Sequence, residues 1–157
     1  PAPEPAGRGL APIRPAEVFE RVRGRAASLA RAGKPPEARL VLLGAEGTWR
    51  PREDFARRFF EAGGFTVSSS SLDAALASPP VGGVFVLCGT DETYTAEAVT
   101  RTQALASASA APTVLAGKPG ALEADLRAAG LGHAIHLGCD APAVLNAVLD
   151  RLVGGAS

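Results

Sequence analysis

Residues 39–64 read RLVLLGAEGTWRPREDFARRFFEAGG. The apolar run at 40–43 predicts a buried strand. Gly44-Ala45-Glu46-Gly47 predicts a turn loop. Residues 54–62 follow with a helical pattern, and Gly63-Gly64 stand where that helix needs a C-cap. The same alternation continues to the end of the chain. Further apolar runs fall at 65–69, 84–88, 113–116 and 134–137, and further helical patterns at 72–77, 92–107, 121–129 and 143–152. Five strands alternating with five helices imply a parallel sheet covered on both faces. The strands read as continuous apolar runs, as strands buried on both faces do. Val144, Leu145, Val148, Leu149 and Leu152 give the last helix a stripe for the sheet. Gly130 and Gly154-Gly155 are placed as further C-caps. A unit of this size predicts the flavodoxin-like (Rossmann-like) α/β fold, strand order 2-1-3-4-5.

Upstream, residues 1–12 are rich in Pro, Ala and Gly and predict an extended arm or linker. Pro15 suits a first helical turn. Val18, Val22, Ala26 and Leu29 recur at helical spacing up to Ala32, with Gly33 as C-cap and Pro35-Pro36 beyond. The expected division is a linker arm and helix at 1–36 and an α/β domain at 37–157. The 157 residues are 46% hydrophobic and 20% charged, which suits a globular domain with a core. Aromatics are only 5%, so Ala, Val and Leu must build most of that core.

Sixteen basic and sixteen acidic residues cancel, leaving no footprint for nucleic acid or an anionic membrane. Arg50, Arg52, Arg57 and Arg58 form a local basic patch that an exposed helix face also explains. The longest uncharged run contains Pro79-Pro80 and Gly82-Gly83 and is no membrane span. A start at Pro1 and the absence of Met predict a piece of a longer, or processed, polypeptide. No signal peptide pattern opens it, and a cytoplasmic setting is expected. Cys88 and Cys139 have no metal spacing. The predicted strand order puts them roughly 9–10 Å apart, too far for a disulfide, and both are expected to be structural thiols.

Ligands of open parallel sheets bind beyond the carboxyl ends of the strands, at the switch in strand order. That places a candidate site at residues 44–52, with 89–92, 117–120 and 138–140 around it. Turn geometry and close ligand approach both explain the glycines there. No Gly-x-Gly-x-x-Gly follows the first strand. Gly117-Lys118 is followed by Pro119 rather than completing a phosphate loop, and no Gly-x-Ser-x-Gly elbow occurs. The aspartates and lysine of a phosphorylatable receiver are missing. His133 and His136 fall on opposite faces of the expected fifth strand and do not chelate as a pair. Glu46, Asp91 and Asp140 are the carboxylates near the site, and each also serves as a turn or cap residue.

Residues 39–67, RLVLLG…DFARRFFEAGGFTV, resemble the opening of a cobalamin-binding domain. Residues 10–23, LAPIRPAEVFERVR, resemble the segment joining the barrel domain of methylmalonyl-CoA mutase to that domain. The resemblance runs from about Leu10 to Leu152 and is strongest in the first third. It is closest to the small (beta) subunit of heterodimeric bacterial mutases, a paralogue of the catalytic subunit that has lost the cobalt ligand. Binding members carry Asp-x-His-x-x-Gly after the first strand; here those positions read Glu46-Gly47-Thr48-Trp49-Arg50-Pro51. The family's Ser-x-Leu after the third strand is matched by Leu87-Cys88-Gly89, its Gly-Gly after the fourth by Gly117-Lys118, and its glycine-rich turn after the fifth by Gly138-Cys139-Asp140. Gly44, Glu46, Thr48, Pro51, Leu87, Gly117, Lys118 and Gly138 are thus expected to be vestigial positions of a cobalamin site.

A neutral imidazole is a good cobalt donor, whereas a threonine hydroxyl is a short, hard oxygen donor. Glu46 has no imidazole to orient. Pro51 removes backbone freedom and an N–H from the loop, Trp49 adds bulk, and Leu87 and Lys118 are expected to narrow the nucleotide channel. The resemblance implies a domain without catalytic, cofactor or metal residues of its own. It would belong to a mutase that interconverts succinyl-CoA and methylmalonyl-CoA with adenosylcobalamin held in the large (alpha) subunit. Its partners would be that subunit and its own upstream barrel domain. Two alternatives stay open: a corrinoid-binding module that uses no protein ligand, and an unrelated flavodoxin-like domain that binds a small molecule or acts as an enzyme on it.

Overall fold

The computed structural model describes residues 15–155. The arm expected at 1–12 lies outside them. The elements run α1 (Pro15–Arg31), β1 (Glu37–Leu42), α2 (Arg50–Ala62), β2 (Thr66–Ser71), α3 (Leu72–Ala77), β3 (Gly83–Cys88), α4 (Asp91–Ala108), β4 (Thr113–Ala116), a 3₁₀ turn (Gly120–Leu122), α5 (Glu123–Ala129), β5 (Leu131–Ile135) and α6 (Ala141–Gly155). All strand pairs are parallel, in the expected order β2-β1-β3-β4-β5. No helix of the described residues is long and apolar enough to cross a membrane.

Two cores flank the sheet because alternate side chains of a strand face opposite ways. β3 is buried along its whole length. Its Val84, Val86 and Cys88 face Ala56, Phe59 and Phe60 of α2 and Leu145, Val148 and Leu149 of α6. Its Phe85 and Leu87 face Ala75 of α3, Tyr94, Ala98 and Leu105 of α4, and Leu126 of α5. Phe60 is fully buried and meets Phe59 and Phe65 edge-on, each at 5.2 Å between centroids. Such pairs add about 0.5–1.5 kcal/mol each beyond burial. Val22 places α1 in the same core, and Arg25 ties α1 to α6 through Asn146 and Asp150, both at 2.7 Å.

Gly63 and Gly64 end α2 for different reasons. A Cβ on Gly63 would stand 2.9 Å from Leu145, whereas Gly64 has φ +87°. Gly130 caps α5 in the left-handed region, but Gly154 and Gly155 continue α6 rather than capping it.

β2 departs from the expected apolar run. It reads Thr66-Val67-Ser68-Ser69-Ser70-Ser71 and lies at the sheet edge, half-buried. Two of its hydroxyls are satisfied by charged neighbours, one on each face, and Thr66 and Ser70 donate to backbone carbonyls. Ser68 donates to Glu37 at 2.7 Å and accepts from Arg39, while Ser69 donates to Glu53 at 2.6 Å and accepts from Arg57. β5 begins three residues earlier than expected, at Leu131, and Leu137 lies beyond it, 84% exposed. His133 is therefore in the strand and His136 outside it, so the two do not share the expected strand.

Candidate functional site

The loop from β1 to α2 is short because the helix starts at Arg50, four residues before the expected Asp54. Pro51 lies in its first turn, where a missing N–H is harmless, and does not stiffen the loop as expected from the sequence. Thr48 closes the turn on itself. Its hydroxyl donates to the Ala45 carbonyl at 2.6 Å and its N–H points to the same oxygen at 3.1 Å. The Arg50 guanidinium lies 5.3 Å from the centre of the Trp49 ring.

Behind this loop, the crevice over the ends of β1, β3 and β4 is filled from within. Arg52 leaves the first turn of α2 and reaches across it. Its Nη1 donates to the carbonyls of Ala116 at 3.0 Å and Gly89 at 3.2 Å, and its Nη2 to Asp91 Oδ1 at 3.0 Å. The guanidinium sits 5.5 Å over the ring of Tyr94. Burial opposes the Arg52 charge, but Asp91 and Tyr94 outweigh it and hold its pKa above the ordinary value.

Tyr94, 2% exposed, is the floor of the crevice. Its hydroxyl accepts from the Gly89 N–H at 2.9 Å and has the carbonyl oxygens of Ala116 and Leu87 at 2.6 and 3.0 Å. The single phenolic proton serves the nearer one, Ala116. Burial first, and then Cys88 beside it, push the phenol well above its usual range. Thr90 caps α4 by accepting from the Thr93 N–H at 3.1 Å, which fixes Tyr94 and Asp91 at the crevice.

The positions singled out in the sequence are dispersed. Gly44, at φ +90°, packs so that a Cβ would lie 2.7 Å from Thr93 Oγ1 and 3.5 Å from Thr48 Oγ1. Gly117 is buried against Arg52 and Tyr94, and Leu87 is buried in the α4-side core. Glu46, Thr48, Pro51, Lys118 and Gly138 are exposed. Arg52, rather than Lys118, narrows the crevice. Asp140 caps α6, accepting from Ala143 N–H at 3.1 Å. Both cysteines are free thiols, and burial pushes the Cys88 thiol well up. His133 is held below its ordinary pKa by burial and then by Arg127 and Arg151. Among the described residues no three His, Cys, Asp or Glu side chains converge on a metal-sized point.

Arg52 and Tyr94 carry the crevice; the sequence places Arg52 at the end of the candidate loop 44–52 and in a basic patch, and does not single out Tyr94. One signal was available. Tyr94 is the single tyrosine, and it falls in the first turn after the third strand, at the switch point.

No protein-family profile matches the chain. It is similar to the protein named methylmalonyl-CoA mutase small subunit from Streptomyces virginiae, 35% identical over 159 residues. That alignment covers 97% of this chain and 25% of the relative, so the chain spans about a quarter of the relative's length. With the expected strand order in place and nearly the whole chain aligned, this domain is similar to a stretch of about a quarter of a methylmalonyl-CoA mutase small subunit, consistent with a cobalamin-binding-like domain of one.

Proposed function

We propose that the domain is a non-catalytic, cobalamin-free part of the small subunit of a cytoplasmic, heterodimeric methylmalonyl-CoA mutase. It packs against its own upstream barrel domain and against the large subunit. The isomerase chemistry is that of adenosylcobalamin bound in the large subunit. The observation that carries this reading is the Arg52 side chain seated on Tyr94 where a ligand of this fold would enter. Thr48 supports it, because its hydroxyl proton is committed to Ala45 and its oxygen is a poor, short donor for cobalt. The residues present therefore do not fit cobalamin.

Titration of the purified chain with adenosylcobalamin tests this. No retention and no spectral change are expected. A base-off, nitrogen-ligated spectrum at micromolar corrinoid would overturn the reading. Binding with an unchanged spectrum would also overturn it, in favour of a module that holds a corrinoid without a protein ligand. Thr48→His alone should leave the titration blank, because Arg52 still fills the crevice. A nitrogen-ligated complex from that one substitution would mean that the pocket is open.

A further inference from the structure

We propose that the switch crevice is a cation site built for a planar guanidinium and occupied in cis by Arg52. Three acceptors converge there: the carbonyls of Gly89 and Ala116 on Nη1, and the Asp91 carboxylate on Nη2. The face of Tyr94 supplies the fourth wall. Gly89 and Ala116 lie at the carboxyl ends of β3 and β4, where the ladder no longer takes up carbonyls, so they need a donor from elsewhere. A guanidinium gives several N–H groups in one plane and an apolar face for an aromatic ring, whereas a lysine ammonium is a single hydrated point. Gly117 completes the fit. A Cβ there would clash with Arg52 Nη1 and come within 3.0 Å of Cζ. The glycine that the family resemblance assigns to a nucleotide tail makes room here for an arginine. A neutral or anionic ligand entering this crevice would evict the arginine and leave the buried Gly89 carbonyl without that donor and the Ala116 carbonyl with Tyr94 alone, which is costly.

If the site has this chemistry, emptying it should create a receptor for free guanidinium compounds. The full chain carrying Arg52→Ala is followed by thermal unfolding with millimolar ethylguanidinium, and with ethylammonium at the same concentration. The substitution is expected to lower Tm by about 5 °C or more. Ethylguanidinium is expected to raise the variant's Tm saturably, by roughly 2 °C or more, while leaving the unsubstituted chain without a rise. No rise in the variant, an equal rise with ethylammonium, or an equal rise in the unsubstituted chain overturns the proposal. Arg52→Lys asks the same question of a protein that keeps the charge and loses the planar fork. A Tm below that of the unsubstituted chain is expected, and an equal Tm overturns the proposal even if Arg52→Ala does not fold. This inference deepens the reading of a crevice closed by its own side chain. Because the test contains no corrinoid, it can fail while the cobalamin titration stays blank, and the reverse.

Discussion

At the carboxyl end of the sheet, Arg52 and Tyr94 close the crevice with hydrogen bonds to strand-end groups. At the amino end, a groove of about 850 Å³ lies open between Leu29, Pro80, Pro112 and Leu152. The larger hollow is thus at the end where parallel sheets do not bind ligands; at the other end Arg52 fills the switch crevice and a smaller hollow of about 220 Å³ remains beside Leu43, Gly44, Ser71 and Asp73. The backbone explains the contrast. Strands of a parallel sheet begin with N–H groups to satisfy and finish with carbonyls. Here Pro36, Pro80 and Pro112 stand before or near the starts of β1, β3 and β4, and proline has no N–H to satisfy. Little polar backbone is left there, so an apolar groove can stay open. Glycines follow the ends of the strands instead, and they let polar side chains come down onto free carbonyls.

The sharpest way to break this contrast is to remove the crevice floor. Tyr94→Ala deletes a buried ring and the partner of the Gly89 N–H and the Ala116 carbonyl. It should cost about 3–5 kcal/mol in urea unfolding, the usual loss for a buried aromatic. A loss of about 0.5 kcal/mol or less, the size of a typical surface change, would mean that the carboxyl end is as loosely built as the groove.

A finer probe is Gly117→Ala. Gly117 has φ +139°, and its Cα faces the Arg52 guanidinium. The substitution should cost about 1–3 kcal/mol from backbone strain alone, and more if Arg52 is displaced. In an Arg52→Ala background the clash with the guanidinium disappears, and the strain and a tight 3.2 Å approach to Tyr94 remain. The double-mutant cycle should therefore show coupling of about 0.5–3 kcal/mol. Simple additivity would show that the glycine serves its own backbone and not the arginine.

How much of this could be read from the sequence depended on whether the cause was local. Alternating runs gave the strand order, because each run is bounded by its own glycines and prolines. β4 lies at residues 113–116 as expected. β5 was misplaced because Gly132 and His133 interrupt its apolar pattern, while Leu137 extends it into an exposed turn. β2 was cut short at Ser69 because its serines look like a loop until Glu37, Arg39, Glu53 and Arg57 are known to lie beside them. The candidate site was legible as a place and not as a set of residues. Gly44, Thr48 and Gly117 do lie around the crevice, but Arg52 and Tyr94 meet only through the fold. Pro51 was read as a loop residue because the helix start was set four residues late.

The smallest effect belongs to the open groove, and it is informative because it should be small. Val81 sits on its rim between Pro80 and Gly82 and is 95% exposed. It buries almost no apolar area, so Val81→Ser removes little hydrophobic stabilisation. A change within about 0.5 kcal/mol is expected in urea unfolding, as for other surface positions. The same measurement that gives several kcal/mol for Tyr94→Ala should barely move here, although Val81 borders the larger hollow. A loss above about 1 kcal/mol would mean that the groove is covered in solution and that Val81 is buried under whatever covers it. The amino end would then be the packed surface, and hollow size would again be a guide to where this domain makes its contacts.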